Sequence, residues 1–287
     1  MASSLIDPPF QLFLPDRPEA GVVFASPHSG RDYPADLLRR TTLDALRLRS
    51  SEDAFVDLLL RSAPGFGAPL IAGRVPRAFV DLNRGADELD PALIEGVRPR
   101  LLNPRVAAGL GVIPRVVSGG RAIYSGKIPL AEAEARITGY WRPYHDRLAA
   151  LMEAAMRRFG QAVLIDMHSM PHEALDGLGP DRPEVVLGDR YGSSAAPGVI
   201  AQIEAAFLAE GFRVRRNAPF AGAYVTQTYG CPARNCHAVQ IEIDRALYMD
   251  EALVRPLPGF DAFEERLSRV LGRMVAGLRG TARLAAE

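Results

Sequence analysis

Two of the five histidines, His28 and His168, each follow closely on a short β-rich apolar run. In open α/β sheets ligands gather beyond the carboxyl ends of the strands, so an imidazole there is well placed for chemistry. A catalytic zinc ion takes three protein ligands from histidine and carboxylate side chains and keeps one position open for water. His28 and His168 offer two imidazoles, and Glu52 or Asp53 offers the carboxylate. Asp53 also has a plainer use, because an acid in the first turn of a helix satisfies free backbone N–H groups without any metal. Asp166, two residues before His168, suits an acceptor that orients a ligand histidine, or one that caps the strand end.

Three further groups carry polar chemistry. Glu242 sits between Ile241 and Ile243, where a carboxylate needs a partner, solvent or a task. One such task is general base toward water whose acidity a metal has raised, and the alternative is a solvent-facing strand residue. Asp81-Leu-Asn83-Arg84 ends a strand-like run, where the planar arginine fork suits a substrate carboxylate or an ion pair with Asp81. Cys236 beside His237 resembles a nucleophile and base, but adjacent residues of an extended segment point to opposite faces, which argues against the pair.

The elements that position these residues alternate along the chain. Gly21 to Pro27 reads as a buried strand ended by Pro27, and Ser50 to Ser62 as a capped helix. Pro69 to Ala72 and Ala78 to Leu82 read as strands, and Gly85 to Ile128 as a long irregular connection carrying substrate contacts. Leu130 to Phe159 is the strongest helical pattern, interrupted near Gly139 and Pro143 and stopped by Gly160. Gln161 to Asp166, Val185 to Gly188 and Phe212 to Arg215 follow as strands, with a helix over Ala195 to Glu210. His237 to Asp244 is a strand with Val239, Ile241 and Ile243 on one face and Gln240, Glu242 and Asp244 on the other; Phe260 to Leu284 closes the chain as a helix. This order implies an α/β fold, a mixed, mostly parallel central sheet with helices on both faces, in a single domain over 1–287.

Composition narrows the partners. Basic and acidic residues balance at 34 each, leaving no excess charge to draw nucleic acid or an anionic membrane, so a small molecule is expected. No stretch approaches the roughly 20 apolar residues that span a bilayer, and Met1 to Phe24 lacks the pattern of a leader, so a cytoplasmic protein is expected. Cys231 and Cys236 are too few for a disulfide framework and read as reduced thiols. Oligomeric state leaves no signal.

Taken in order, Ser-Pro-His28-Ser-Gly, Glu-Asp53, Phe-Val-Asp-Leu-Asn83-Arg84, Trp-Arg-Pro-Tyr144-His145, Leu-Ile-Asp-Met-His168-Ser, Ala-Gly-Ala-Tyr224-Val-Thr and His237-Ala-Val-Gln-Ile-Glu242-Ile resemble the N-formylglutamate amidohydrolases of histidine catabolism. The resemblance spans roughly His28 to Asp250, and that family is similar to zinc carboxypeptidases and succinylglutamate desuccinylases, which implies a zinc-carboxypeptidase-like fold. It implies zinc held by His28, Asp53 and His168, water activated by Glu242, and the substrate carboxylate held by Asn83 and Arg84. Arg121 and Tyr124, in Gly-Arg-Ala-Ile-Tyr, match a further motif of the family; the arginine is expected to stabilise an oxyanion and the tyrosine to contact substrate. In the carboxypeptidase pattern the acidic ligand comes three residues after the first histidine, where this chain has Arg31, so motif position alone favours Asp53 over Glu52. The expected reaction is hydrolysis of an N-acyl acidic amino acid. Alternatives are a metal-dependent deacylase or carboxypeptidase acting on another N-acyl amino acid or short peptide, and a non-catalytic protein binding zinc or a small acid.

Overall fold

The computed structural model describes residues 6–98, 103–179 and 181–284, with side chains described to 279; residues 99–102 of the expected irregular connection lie outside this range. Eleven strands occur among the described residues: β1 (Phe10–Phe13), β2 (Val22–Ser26), β3 (Leu70–Gly73), β4 (Val116–Val117), β5 (Arg121–Ala122), β6 (Ala162–Met170), β7 (Val185–Gly188), β8 (Val214–Arg216), β9 (Cys236–Asp244), β10 (Met249–Asp250) and β11 (Arg255–Pro256). Seven of them form one sheet in the order β1-β3-β2-β6-β9-β7-β8, while β4 with β5 and β10 with β11 form two small ribbons.

The sheet is mixed and mostly parallel, as the alternating order implies. β2 and β6, β6 and β9, and β7 and β8 run parallel, while β7 runs antiparallel to β9. All five residues of β2 and all nine of β6 are buried, so these strands are covered on both faces, whereas β1 and β8 at the two ends are half exposed. The long register between β6 and β9 runs unbroken from Ala162 opposite Cys236 to Met170 opposite Asp244.

The chain divides into two compact units. One comprises Met1–Gln11, Pro27–Ala54 and Ala72–Arg147. It contains the first half of the long helical run, Leu130–Arg136, which passes through a wider turn at Ile137–Trp141 into Arg142–Phe159. The widening has a local cause: Pro143 has no N–H to give the carbonyl of Gly139 four residues back, so the ladder opens there instead of breaking. Gly160, at φ +68°, ends the run as its composition predicts.

The other unit comprises Leu12–Ser26, Phe55–Ile71 and Leu148–Glu287. Its last helix, Phe260–Leu284, buries Leu267, Val270, Leu271, Met274, Val275 and Leu278, a spacing that sets one apolar stripe along the helix. Near its start Phe263 meets Phe212 edge-on at 6.0 Å and stacks on Tyr248 at 5.8 Å.

Three expectations differ from what forms. The helix expected over Ser50 to Ser62 is reduced to Val56–Leu59, because Phe55 takes a left-handed conformation at φ 67° and the Asp53 N–H bonds the His28 carbonyl instead of entering a helix. Ala78 to Leu82 is a turn, not a strand: Asp81 N–H donates to the Val112 carbonyl, and side chains of the long helical run hold the remainder. β6 extends four residues beyond Asp166, so His168 lies within the strand instead of after it. No helix among the described residues is long and apolar enough to cross a membrane.

Candidate metal and active site

His28 stands two residues beyond β2, where the backbone turns against the 74–75 segment. The approach is close enough that a Cβ on Gly30 would lie 2.3 Å from the Val75 carbonyl oxygen, so the Ser-Pro-His-Ser-Gly sequence needs glycine at its end. The Asp53 N–H donates to the His28 carbonyl at 3.0 Å, and this tie brings the Asp53 carboxylate to 3.4 Å from His28 Nδ1. Both side chains are buried.

The other nitrogen of His28 is held from a different direction. His28 Nε2 donates to Asp81 Oδ1 at 2.7 Å, which leaves the lone pair on Nδ1, the nitrogen that faces Asp53. Asp81 also accepts from Arg77 Nη2 at 2.8 Å and from the Asn83 N–H at 2.8 Å. Burial pushes the Asp81 carboxyl up, but Arg77, His28 and Arg84 outweigh it and hold the group well below the usual carboxylate range. It is therefore a permanent anion on His28.

His168 has the same kind of support. In β6, Asp166 and His168 share a face, and His168 Nε2 donates to Asp166 Oδ2 at 2.9 Å, again leaving Nδ1 with the lone pair. Ala25 of β2 pairs with Asp166 of β6, so His28 and His168 both emerge a few residues past that rung. Candidate ligand atoms of His28, Asp53 and His168 all lie within 4.8 Å of one another, and all three residues are buried. Two imidazoles and a carboxylate, each imidazole oriented by an aspartate, are a donor set that fits a divalent ion. This group could hold a metal. Replacing Asp81 by Asn is expected to weaken metal affinity about 10- to 100-fold without unfolding the chain, read by competition against a chromophoric chelator.

Glu52 is engaged elsewhere, which separates the two neighbouring acids. Arg49 grips both of its carboxylate oxygens, with Nε at 3.1 and 3.2 Å and Nη2 at 3.1 Å, and the Tyr33 hydroxyl donates to it as well. Asp53 thus joins the histidines, and Glu52 is held by Arg49 and Tyr33. Asp53 does not cap the short helix that follows, whose entry residue is Phe55.

Glu242 lies directly opposite His168 in the parallel register of β6 and β9, so the two side chains leave the sheet on the same face. It is buried at 8% exposure, and Gln240, two residues earlier on that face, donates its Nε2–H to Glu242 Oε1 at 2.7 Å. The alternation of β9 read from the sequence is the one observed.

The 79–84 segment is fastened by the long helical run. Arg136 donates to the Phe79 carbonyl at 3.2 Å, His145 to the Leu82 carbonyl at 2.9 Å and the Trp141 indole to the Arg84 carbonyl at 2.8 Å. The Trp-Arg-Pro-Tyr-His motif thus serves to hold this loop. Arg84 is buried, and its guanidinium donates to the carbonyls of Leu110 at 2.9 Å and Asn83 at 3.2 Å. Burial lowers its pKa while Asp81 opposes that shift.

Tyr124 is buried, and its hydroxyl accepts from Arg136 at 2.7 Å beneath a guanidinium 5.5 Å from the ring centre. Burial pushes its phenol up while Arg136 draws it down. Arg121 is exposed in β5. Cys236 and His237 form no catalytic pair: burial raises the Cys236 thiol, burial lowers His237, and His237 Nδ1 accepts from the Ala196 N–H at 3.3 Å. The contributions of Asp81 and Gln240 were missed from sequence. Asp81 is 53 residues from the histidine it holds, whereas Gln240 was recoverable from the two-residue period of β9.

Comparison with known proteins shows the family. The sequence pattern of N-formylglutamate amidohydrolases matches residues 20–249. N-formylglutamate deformylase of Pseudomonas aeruginosa is 33% identical over 238 residues, 80% of this chain and 82% of that protein, and the Pseudomonas putida deformylase is 30% identical over 237 residues, with the same coverage. The crystal structure of N-formylglutamate amidohydrolase from Ralstonia eutropha JMP134 is similar at a TM-score of 0.89 and 36% identity, covering 95% of this chain and 99% of that one. The chain therefore belongs to the N-formylglutamate amidohydrolase family and is a hydrolase.

Proposed function

We propose that this enzyme hydrolyses the amide bond of N-formyl-L-glutamate, or of a closely similar N-acyl acidic amino acid, to the free acid and the amino acid, with zinc as its metal. The observation that carries the reading is the convergence of His28, Asp53 and His168 within 4.8 Å, with Glu242 abreast of His168 on the neighbouring strand. The relatives named for N-formylglutamate support the choice of substrate.

Zinc held by His28, Asp53 and His168 would supply Lewis acidity toward the formyl oxygen and toward water. The chain's own groups do the rest. Glu242 accepts the proton of the attacking water as the new bond to the formyl carbon forms, then returns it to the nitrogen as the carbon–nitrogen bond breaks, so that formate and the free amine leave. Gln240, by donating to Oε1, holds the carboxylate in place for this transfer. Asp81 and Asp166 keep the ring protons of the two histidines on Nε2, away from the metal side.

Arg84 and Asn83 hold a carboxylate of the substrate, on a loop that three side chains of the long helical run keep rigid. Arg121 balances the charge that builds on the formyl oxygen. Tyr124 accepts from Arg136 and keeps its own hydroxyl proton to donate to substrate. The test is a panel of N-formyl-, N-acetyl- and N-succinyl-L-glutamate offered to the zinc-loaded protein, with release of the free acid measured for each. Formate as the dominant product supports the reading; activity confined to a larger acyl group would overturn the formyl assignment.

A further inference from the structure

Just beyond Glu242 the sheet carries a second polar pair that the hydrolytic step does not use. Asp244 leaves β9 on the same face as Glu242, about 7 Å further along, the rise of two strand residues. It is buried, and it accepts from His172 Nδ1 at 2.8 Å. His172 is fixed at its backbone too, its N–H donating to Glu251 Oε1 at 2.9 Å, yet the side chain is 36% exposed. The ring is thus held in one orientation, with Nδ1 committed to Asp244 and Nε2 on the far side of the ring.

Beneath this part of the face the core is apolar. Val186 pairs with Glu242 in the antiparallel register and Met170 pairs with Asp244 in the parallel one, so both lie on this face. They pack with Leu175, and Leu178 and Phe220 cover them while staying partly exposed. An oriented ring anchored about 7 Å along the same sheet face from Glu242 suits the reach of a side chain of two methylenes ending in a carboxylate.

We propose that His172, positioned by Asp244, binds the distal carboxylate of the substrate and gives the enzyme its preference for an acidic over a neutral side chain; this rests on the amidohydrolase reading above. With Nδ1 facing Asp244, the Nε2 side of the ring is the one that meets the substrate carboxylate. Glu251 beneath the backbone is offset by Arg245, whose Nη1 lies 3.8 Å from it. Asp244 is a positioning residue here: it touches the ring and not the substrate.

The test uses the full chain with Glu242→Gln to slow turnover, and calorimetric binding of N-formyl-L-glutamate and N-formyl-L-glutamine with and without His172→Gln. The expected result is that His172→Gln weakens the glutamate compound about tenfold or more and leaves the glutamine compound within about twofold, while His172→Lys keeps the acidic preference. Equal loss for both compounds, no loss for either, or a loss confined to glutamine would overturn the assignment. The hydrolytic reading fails separately: acidic discrimination that depends on His172, in a protein whose form with Glu242 intact releases no formate, would leave the binding site standing and remove the reaction.

Discussion

Replacing Glu242 by Gln is expected to lower kcat on N-formyl-L-glutamate by about 10² to 10⁴ while metal content and thermal stability stay near those of the parent protein. The substitution is close to isosteric. The amide oxygen of the new side chain can still accept from Gln240, so the 2.7 Å bond and the packing beside His168 survive, and only the ability to take a proton is lost. Glutamate at this point of a buried strand carries a desolvation cost that glutamine does not, which points to a small gain in stability, not a loss. Steady-state kinetics with metal analysis of the same preparations decides it, and full turnover in the variant would remove Glu242 from the mechanism.

Removing a metal-side ligand should act on both metal and rate. His168→Ala is expected to reduce bound metal from stoichiometric to trace and to cut activity by more than about 100-fold, since in metal sites generally even an outer partner of a ligand is worth about 10- to 100-fold in affinity. The variant also takes away a buried imidazole that donates to Asp166 at 2.9 Å, which should cost roughly 1 to 3 kcal/mol of stability. Metal analysis of the folded fraction separates the two effects. A folded His168→Ala protein that keeps its metal would show that the three residues meet for some other reason.

What the sequence revealed and what it hid follow from how local each feature is. The two-residue period of Val239, Ile241 and Ile243 against Gln240, Glu242 and Asp244 is written in adjacent positions, and β9 forms as read. The amphipathic spacing of Phe260–Leu284 is equally local. Ala78 to Leu82 has a strand's composition, but donors on Arg136 and His145 and the Val112 carbonyl as acceptor decide its shape, and all of these are far away in the chain. The sequence ends the β6 pattern at Asp166 because His168 and Ser169 beyond it are polar; in the fold they pair along β9 as regularly as the apolar residues before them.

The site divides along the same line. His28 and His168 were legible because each stands near the end of an apolar run, and Asp166 because it shares a face with His168. Asp53 and Glu52 were indistinguishable from spacing. The backbone bond from Asp53 to His28 and the grip of Arg49 on Glu52 separate them, and neither follows from residue type. The support of His28 by Asp81 crosses 53 residues and emerges only in three dimensions.

The most direct measurement is formate release from N-formyl-L-glutamate by the purified protein, assayed as isolated, after exhaustive chelation, and after zinc is returned. Chelation is expected to abolish release and about one equivalent of zinc per chain to restore it, as one site of three protein ligands requires. Formate release undiminished by complete removal of metal would contradict it, because His28, Asp53 and His168 would then have no metal to hold.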